Sequence, residues 1–377
     1  MSSKSAIVIG AGIVGLSAAR ALAVRGYTVT VIEREQRSVG ASIRNFGMIW
    51  PIGQPTGNSY ETAQLSGSLW KQISAEARIW SEEAGSLHLA YEKDEWRVLE
   101  ELNDIYRHRN YQLLSPEDLL KKSPAVVRSK LFGGLYSKEE LIIDPRQAIR
   151  NIPAWLMEKF NVHFVWGKAI SLIDHPRVWA GNEFWQADEI FVCTGADFET
   201  LYPALYAEQP ITKCKLQMMR MEPQKNNWRI GPALCAGLSL LHYTSFQAAP
   251  SINILRKRIE TQYPDHIKWG IHVMVSQNES GELIIGDSHE YGRSPEPFDK
   301  AVINDLILDY LQQFARFNNN LITETWNGIY PKMTNGQTHL ILEPAPGVTI
   351  INGLGGAGMT MSLGLCERFL QGRDTRS

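Results

Sequence analysis

Apolar and polar positions along this chain switch repeatedly between two spacings, and each switch marks an element. Ala6-Ile7-Val8-Ile9 is a short continuous apolar run that breaks at Gly10, the mark of a strand. Gly10-Ala11-Gly12-Ile13-Val14-Gly15 follows, then an Ala-rich helical stretch, then Thr28-Val29-Thr30-Val31-Ile32-Glu33, a second strand ending in an acid. Residues from about Tyr60 to Glu83 carry Leu65, Leu69, Ile73 and Ile79 at helical spacing. Ser115-Pro116-Glu117-Asp118 supplies an N-cap, a first-turn proline and first-turn acids for a small helix. Asp144-Pro145 repeats the device ahead of a helix with Ile149, Ile152, Trp155, Leu156 and Phe160 inward. Strands return at Val162–Val165 and at Glu189–Cys193, the latter breaking into Thr194-Gly195-Ala196. From Lys213 to Asp287 the pattern predicts mostly alternating strands with turns, then a helix from about Pro297 to Phe317 with Ile303, Ile307, Tyr310, Leu311 and Phe314 on one face. A strand at Val348–Asn352, a glycine-rich turn from Gly353 to Gly358 and a helix from Met359 to Leu370 end the chain, while Ser42–Pro51 reads as a loop.

The order strand, G-x-G-x-x-G, helix, strand, acid is what a dinucleotide requires. Gly10 permits the tight turn, Gly12 leaves room for a pyrophosphate against the backbone, and Gly15 lets the helix pack close to the strands. The helix N-terminus then turns N–H groups and dipole toward phosphate charge. Glu33, eighteen residues after Gly15, stands where a carboxylate accepts from ribose hydroxyls. The alternatives are a βαβ unit without ligand and a secretory signal. Lys4 before an apolar run resembles the latter, but glycines interrupt the run and no A-x-A-type cleavage site follows.

Composition narrows the partners. The 377 residues suffice for two domains. The 38 basic and 40 acidic side chains nearly cancel and form no long run, which disfavours nucleic acid or an anionic membrane as partner. No apolar segment approaches bilayer length. Cys193, Cys214, Cys235 and Cys366 are widely spaced without a C-x-x-C pair, which argues against zinc or disulfides and fits a reducing, cytoplasmic setting. No metal is expected.

The N-terminal fingerprint, Cys193-Thr194-Gly195-Ala196, Trp326-Asn327-Gly328-Ile329-Tyr330-Pro331 and the Gly353–Ser362 segment together resemble the FAD-dependent D-amino-acid oxidase, glycine oxidase and sarcosine oxidase family over nearly the whole chain. Ile43–Pro51, Gly286-Asp287-Ser288-His289-Glu290-Tyr291-Gly292 and Gly355–Thr360 resemble a narrower clade associated with phosphonate catabolism. The resemblance implies an α/β fold: a glutathione-reductase-like FAD-binding Rossmann domain (1–84, 142–210, 324–377) interleaved with an antiparallel or mixed β-sheet substrate domain (85–141, 211–323) that roofs the flavin. It implies FAD contacts from Gly10, Ala11, Gly12, Ile13, Val14 and Gly15, with Glu33 on the ribose, Arg34 beside the adenine, Ser42 at the phosphates and Ala169 at the adenine. Thr194 and Gly195 would line the nucleotide channel. Asn45, Gly47, Met48 and Gly328 would pass near the flavin, and Gly355, Gly356, Ala357, Gly358, Met359 and Thr360 would face its pyrimidine edge, where a helix dipole favours negative charge.

Departures from the family pattern are equally informative. Relatives with covalent flavin carry a cysteine near the position of Gly328, and no cysteine lies between Cys235 and Cys366, so noncovalent FAD is expected. The arginine that clamps a substrate carboxylate in D-amino-acid oxidases reads Tyr330, and the lysine serving sarcosine oxidases reads Thr360. The resemblance therefore implies oxidation of the C–N bond of a small anionic amine, an aminophosphonate favoured over glycine, sarcosine or a D-amino acid, with oxygen or another electron acceptor. Tyr330, His289 and Tyr243 are the candidate catalytic residues, and Arg44, Gln217, His242 and Lys332 the candidate substrate contacts. A non-catalytic dinucleotide-binding protein is the alternative from another class; an NAD(H)-linked dehydrogenase fits poorly with a chain that returns to its nucleotide unit through a second glycine turn.

Overall fold

A computed structural model describes residues 4–374. The first apolar run forms strand β1 (Ser5–Ile9), the Ala-rich stretch helix α1 (Ile13–Val24) and the second run strand β2 (Thr28–Glu33). β1 lies inside a six-stranded sheet, parallel to β2 on one side and to Glu189–Val192 on the other. His163–Trp166 extends the sheet past β2, Val348–Asn352 extends it past Glu189–Val192, and Leu340–Ala345 closes that edge antiparallel. Both faces are covered, which explains runs that are apolar without alternation. Val8, Val31 and Phe191 pack with α1 and the C-terminal helix Gly358–Asp374, while Ile7, Ile32 and Ile190 pack with Val178 of a small antiparallel sheet.

A larger mixed sheet stands over this unit. Its spine is Ile211–Met221, paired antiparallel along its length with Ile322–Met333. The register sets Tyr330 opposite Cys214, Lys332 opposite Thr212 and Gly328 opposite Leu216. On its other edge the spine pairs with Leu283–Gly286 and Glu290–Gly292, and the sheet continues through Met274–Gln277 and Ala233–Cys235 to Ser86–Ala90. An α/β fold with mixed sheets is thus as expected.

Several sequence expectations change. The helix expected to reach Glu83 is α2 (Asn58–Glu76); Arg78 takes a left-handed φ of +52°, and Ile79 falls outside. Ser42–Pro51 does not join the nucleotide sheet, but Met48–Ile49 within it pairs with Leu141–Ile143. The helix expected at Pro297–Phe317 is confined to Ala301–Phe314. Between Lys213 and Asp287 the chain forms helices at Gly237–Leu240, Ile252–Gln262 and Pro264–Lys268 where strands were expected, with Ile252, Leu255 and Ile259 buried at helical spacing. The two expected caps are present: Ser115 accepts from the Asp118 N–H and Asp144 from the Gln147 N–H, at 3.3 and 3.0 Å. Among the described residues no helix is long and apolar enough to cross a membrane.

Candidate active site

A single cavity of about 1070 Å³ runs from the first glycine turn, beneath the larger sheet, to the second. At its first end each glycine has a distinct steric reason. Gly10 takes φ +101°, and a Cβ there would stand 2.5 Å from the Cys193 carbonyl oxygen. A Cβ on Gly15 would stand 1.9 Å from the Gly10 carbonyl oxygen, so the absence of a side chain is what lets α1 seat on the turn. A Cβ on Gly12 would meet the Ser42 hydroxyl at 3.2 Å. Gly12, Ile13 and Val14 face the cavity, and the Ser42 Oγ accepts from the Ile13 N–H at 2.9 Å. The Glu33 carboxylate reaches the same space at the end of β2, accepting from the Ala11 N–H at 2.8 Å and the Glu35 N–H at 3.1 Å. Arg34 and Asp197 form an ion pair of 2.8 Å between the two strand ends that flank this part of the cavity.

The other end is a chamber built from the two turns and the larger sheet. Alternation along Ile322–Met333 puts Gly328, Tyr330 and Lys332 on one face, directed toward the second glycine turn. The Tyr330 hydroxyl lies 3.5 Å from where a Cβ on Gly356 would be, and the Lys332 stem 3.6 Å from that on Gly355. Lys332 donates to the Tyr291 hydroxyl at 3.0 Å. The Trp50 N–H donates to the Thr360 hydroxyl at 2.9 Å, fixing the Trp50 ring near Tyr243 and His88. The Trp50 indole N–H is buried at the cavity with no partner.

One wall holds a stack of imidazoles. The His242 and His272 ring centroids are 3.7 Å apart with planes tilted 25°, and those of His272 and His289 are 5.2 Å apart at 17°. Behind them Asp287 sits 3.0 Å from His272 Nε2 and 3.8 Å from His289 Nε2. The His289 Nδ1 donates to the Gly270 carbonyl oxygen at 2.9 Å. Ring nitrogens of the three histidines lie within 4.8 Å of one another. Nearly parallel rings run their in-plane lone pairs side by side, whereas a metal needs them convergent at about 2.0–2.1 Å. Asp287 is buried, which alone would raise its carboxyl; the charges of His289 and His272 outweigh this and hold it below the usual range. Burial pushes the His289 imidazole down to about 4, with His272 and Lys332 adding to the drop. His242 is exposed and lines the cavity; desolvation by the surrounding protein, then His272, His289 and Lys332, hold it well below the usual imidazole range. Burial holds the Tyr330 and Tyr243 phenols protonated well above their usual range.

The family model for "FAD dependent oxidoreductase" (DAO) matches residues 5–370. The chain belongs to the DAO family of FAD-dependent oxidoreductases. Among solved structures it is similar to the L-proline dehydrogenase of P. horikoshii (TM-score 0.77, 20% identity, 98% of this chain and 94% of that one). It is also similar to the glycine oxidase of Bacillus cereus (0.77, 14%, 100% and 96%) and the iminodiacetate oxidase of Chelativorans sp. (0.74, 17%, 97% and 95%). A curated relative, the tRNA 5-methylaminomethyl-2-thiouridine biosynthesis bifunctional protein MnmC of Saccharophagus degradans, is 24% identical over 295 residues, which are 74% of this chain and 40% of that protein. The chain thus spans well under half the length of that relative.

The cavity of this DAO-family chain fits FAD. Its length joins two glycine-opened helix N-termini, and Gly12 leaves a cradle that a side chain would fill. Of the residues expected around FAD, Gly10, Gly12, Ile13, Val14, Glu33, Arg34, Ser42, Asn45, Met48, Ala169, Thr194, Gly195, Gly328 and Gly355 to Thr360 all line the cavity. Three do not. Ala11 turns away and gives its N–H to Glu33, and Gly15 is buried within α1 where the helix presses on the Gly10 turn. Gly47 packs behind the wall, where a Cβ would stand 2.0 Å from the Ile143 carbonyl oxygen. Of the substrate candidates, Arg44, His242, Tyr243, His289, Tyr330 and Lys332 line the chamber, although Arg44 donates to the Asn327 carbonyl oxygen at 3.0 Å.

Gln217 is a correction. Strand alternation turns it to the far face of the sheet, where it bonds Lys300 and Asn304 beside the helix Ala301–Phe314. His242 and Tyr243 are corrected in setting only: they follow the short helix Gly237–Leu240, within the stretch where mostly strands were expected. Sequence reasoning missed His272, Asp287 as a charged site group, and Trp50. The first two are a cross-strand pair whose backbones exchange bonds of 3.2 and 2.9 Å just past the Met274–Gln277/Leu283–Gly286 ladder. That pairing register is the signal that would have joined them.

Proposed function

We infer that this protein oxidises the C–N bond of a small amine that also carries an anionic group, with a 2-aminoethylphosphonate-type amine the favoured substrate. The observation that carries the reading is the composition of the chamber at the second glycine turn. Lys332, Tyr330 and three imidazoles stand together there, while neither Tyr330 nor Thr360 can act as the cationic carboxylate anchor that the family resemblance places at their positions. Noncovalent FAD, when bound, supplies the two-electron acceptor for such a bond. The chain supplies placement, charge and proton handling. Lys332 and the protonated phenols of Tyr330 and Tyr243 are donors for the anion; Arg44 is a further cation at the wall. Neutral His289 and His242 add no positive charge to the wall, so they do not repel the amine end of an incoming substrate. The buried Trp50 ring, held by Thr360, excludes water from one side.

Within this reading the segments 1–84, 142–210 and 324–377 form the FAD unit, and 85–141 and 211–323 the substrate unit. The four buried, unpaired cysteines suit a reducing cytoplasm. The test follows peroxide formation and flavin bleaching with 2-aminoethylphosphonate, its N-methyl derivative, glycine, sarcosine and D-alanine. Faster turnover of D-alanine than of every phosphonate refutes the substrate class. Tyr330→Phe and Lys332→Ala should each raise KM for the preferred anion; unchanged kinetics in both removes them from the site.

A further inference from the structure

We propose that His272, backed by Asp287, is a proton-accepting seat for the substrate's dianionic head: a tetrahedral dianion binds together with one proton, taken up at His272 Nδ1, which then donates to an anion oxygen. This rests on the reading above and deepens it.

The geometry assigns each nitrogen. Asp287 Oδ1 lies 3.0 Å from His272 Nε2, so that nitrogen carries the ring's proton toward the carboxylate. His272 Nδ1 is buried at the cavity wall and has no partner. A buried polar atom without a partner costs free energy unless a ligand or water supplies one. As a bare acceptor it is of no use to an anion; protonated, it becomes a charge-assisted donor. The arrangement behind it is suited to that change, since a buried carboxylate 3.0 Å from the far nitrogen stabilises an imidazolium without taking the proton itself.

Charge balance gives the reason for the proton. The groups facing His272 are His242 and Tyr243 from the segment after Gly237–Leu240, and Asp287 and His289 from the turn after Leu283–Gly286. Lys332 and Tyr330 stand on Ile322–Met333, with Cys214 and Tyr291 beside them on the neighbouring strands. With His242 and His289 neutral and the phenols and thiol protonated, Asp287 and Lys332 cancel, and Arg44 at the wall leaves one positive charge. A dianion is then only half compensated, and one proton on the stack removes the remaining excess. A carboxylate brings half that charge and creates correspondingly less demand. The stack therefore discriminates by charge number as well as by shape.

The experiment uses the FAD-loaded protein and ethylphosphonate, which lacks the amine, at a pH where the free phosphonate is already a dianion. Calorimetric titrations in buffers of different ionisation enthalpy count protons taken up, and perturbation of the flavin spectrum gives Kd. The expected result is close to one proton bound per site in the wild type, none with propionate, and Kd weakening about tenfold per pH unit in that range. His272→Asn should abolish the uptake and weaken phosphonate binding about 10–100-fold, the worth of one charge-assisted bond. Asp287→Asn, which keeps the shape, should also lose the uptake. Wild-type binding with no proton change overturns the proposal without reference to any variant, and so does uptake that survives His272→Asn with an unaltered flavin spectrum. The broader reading fails separately: there, no amine of the panel bleaches the flavin, whatever the proton count.

Discussion

Two alanine substitutions three residues apart should fail for opposite reasons. At Gly15 the added carbon would sit 1.9 Å from the Gly10 carbonyl oxygen, and contacts of this kind are not seen below 3.0 Å. The obstacle is backbone at the turn out of β1, so α1 must lift from the sheet. Overpacking of this sort costs about 1–3 kcal/mol, occasionally more, and the cost falls on the flavin-free protein as well as on the loaded one. At Gly12 the nearest atom is the Ser42 hydroxyl at 3.2 Å, a group that can rotate away, and the backbone at φ −71°, ψ 176° suits alanine. Gly12→Ala should therefore leave the flavin-free protein as stable as the parent, or more stable by about 0.4–1 kcal/mol through the unfolded chain. Its carbon would instead occupy the cavity beside the α1 N-terminus. The expected loss there is about 1.5–3 kcal/mol of FAD affinity, or 10–100-fold in Kd. Urea midpoints of the deflavinated proteins and fluorescence titration with FAD separate the two effects. If Gly12→Ala binds FAD like the parent, or Gly15→Ala unfolds like the parent without FAD, the steric assignment of the fingerprint is wrong.

Other consequences can be measured independently. Burial raises the Glu140 carboxyl to about 7, so its protonated form supports the fold fully below its unfolded value, and that support is lost as pH rises through 7. Glu140→Gln, which can still accept from the Ile52 N–H, should flatten the fall in stability between about pH 5 and 8 and gain on the order of 2–3 kcal/mol at the alkaline end; an unchanged pH slope refutes this. Burial also raises the Cys193, Cys214, Cys235 and Cys366 thiols, so a thiol reagent at pH 8 should label none of them until the protein unfolds; rapid labelling of the native protein would contradict the packing. Arg34→Ala opens the pair with Asp197 across the adenosine end, and FAD should dissociate a few-fold faster with a weaker salt dependence; identical release rates would leave that pair without a part in retention.

What the sequence revealed tracks how local the cause is. The glycine turns, the Ser115 and Asp144 caps and the buried strands were legible because each depends on residues a few positions apart. Helix Ile252–Gln262 was misread although Ile252, Leu255 and Ile259 carry helical spacing, because the strands on either side impose their own alternation on any longer window. Gln217 was misassigned for a related reason. Its neighbour Leu216 faces the cavity, and a shift of one residue in a strand moves a side chain to the opposite face. His242 and His289 could be proposed singly. Their stacking on His272 over Asp287 depends on three segments meeting, and no local spacing encodes that.

The order of strands in the nucleotide sheet also bears on how the protein is made. Glu189–Val192 has β1 on one side, but its other neighbour is Val348–Asn352, almost at the end of the chain. While the ribosome is adding the roughly 150 residues between them, that apolar strand has an open edge in the nascent protein. Shielding by a chaperone would have its greatest value during this interval, and fragments released early should aggregate instead of accumulating as a smaller soluble product.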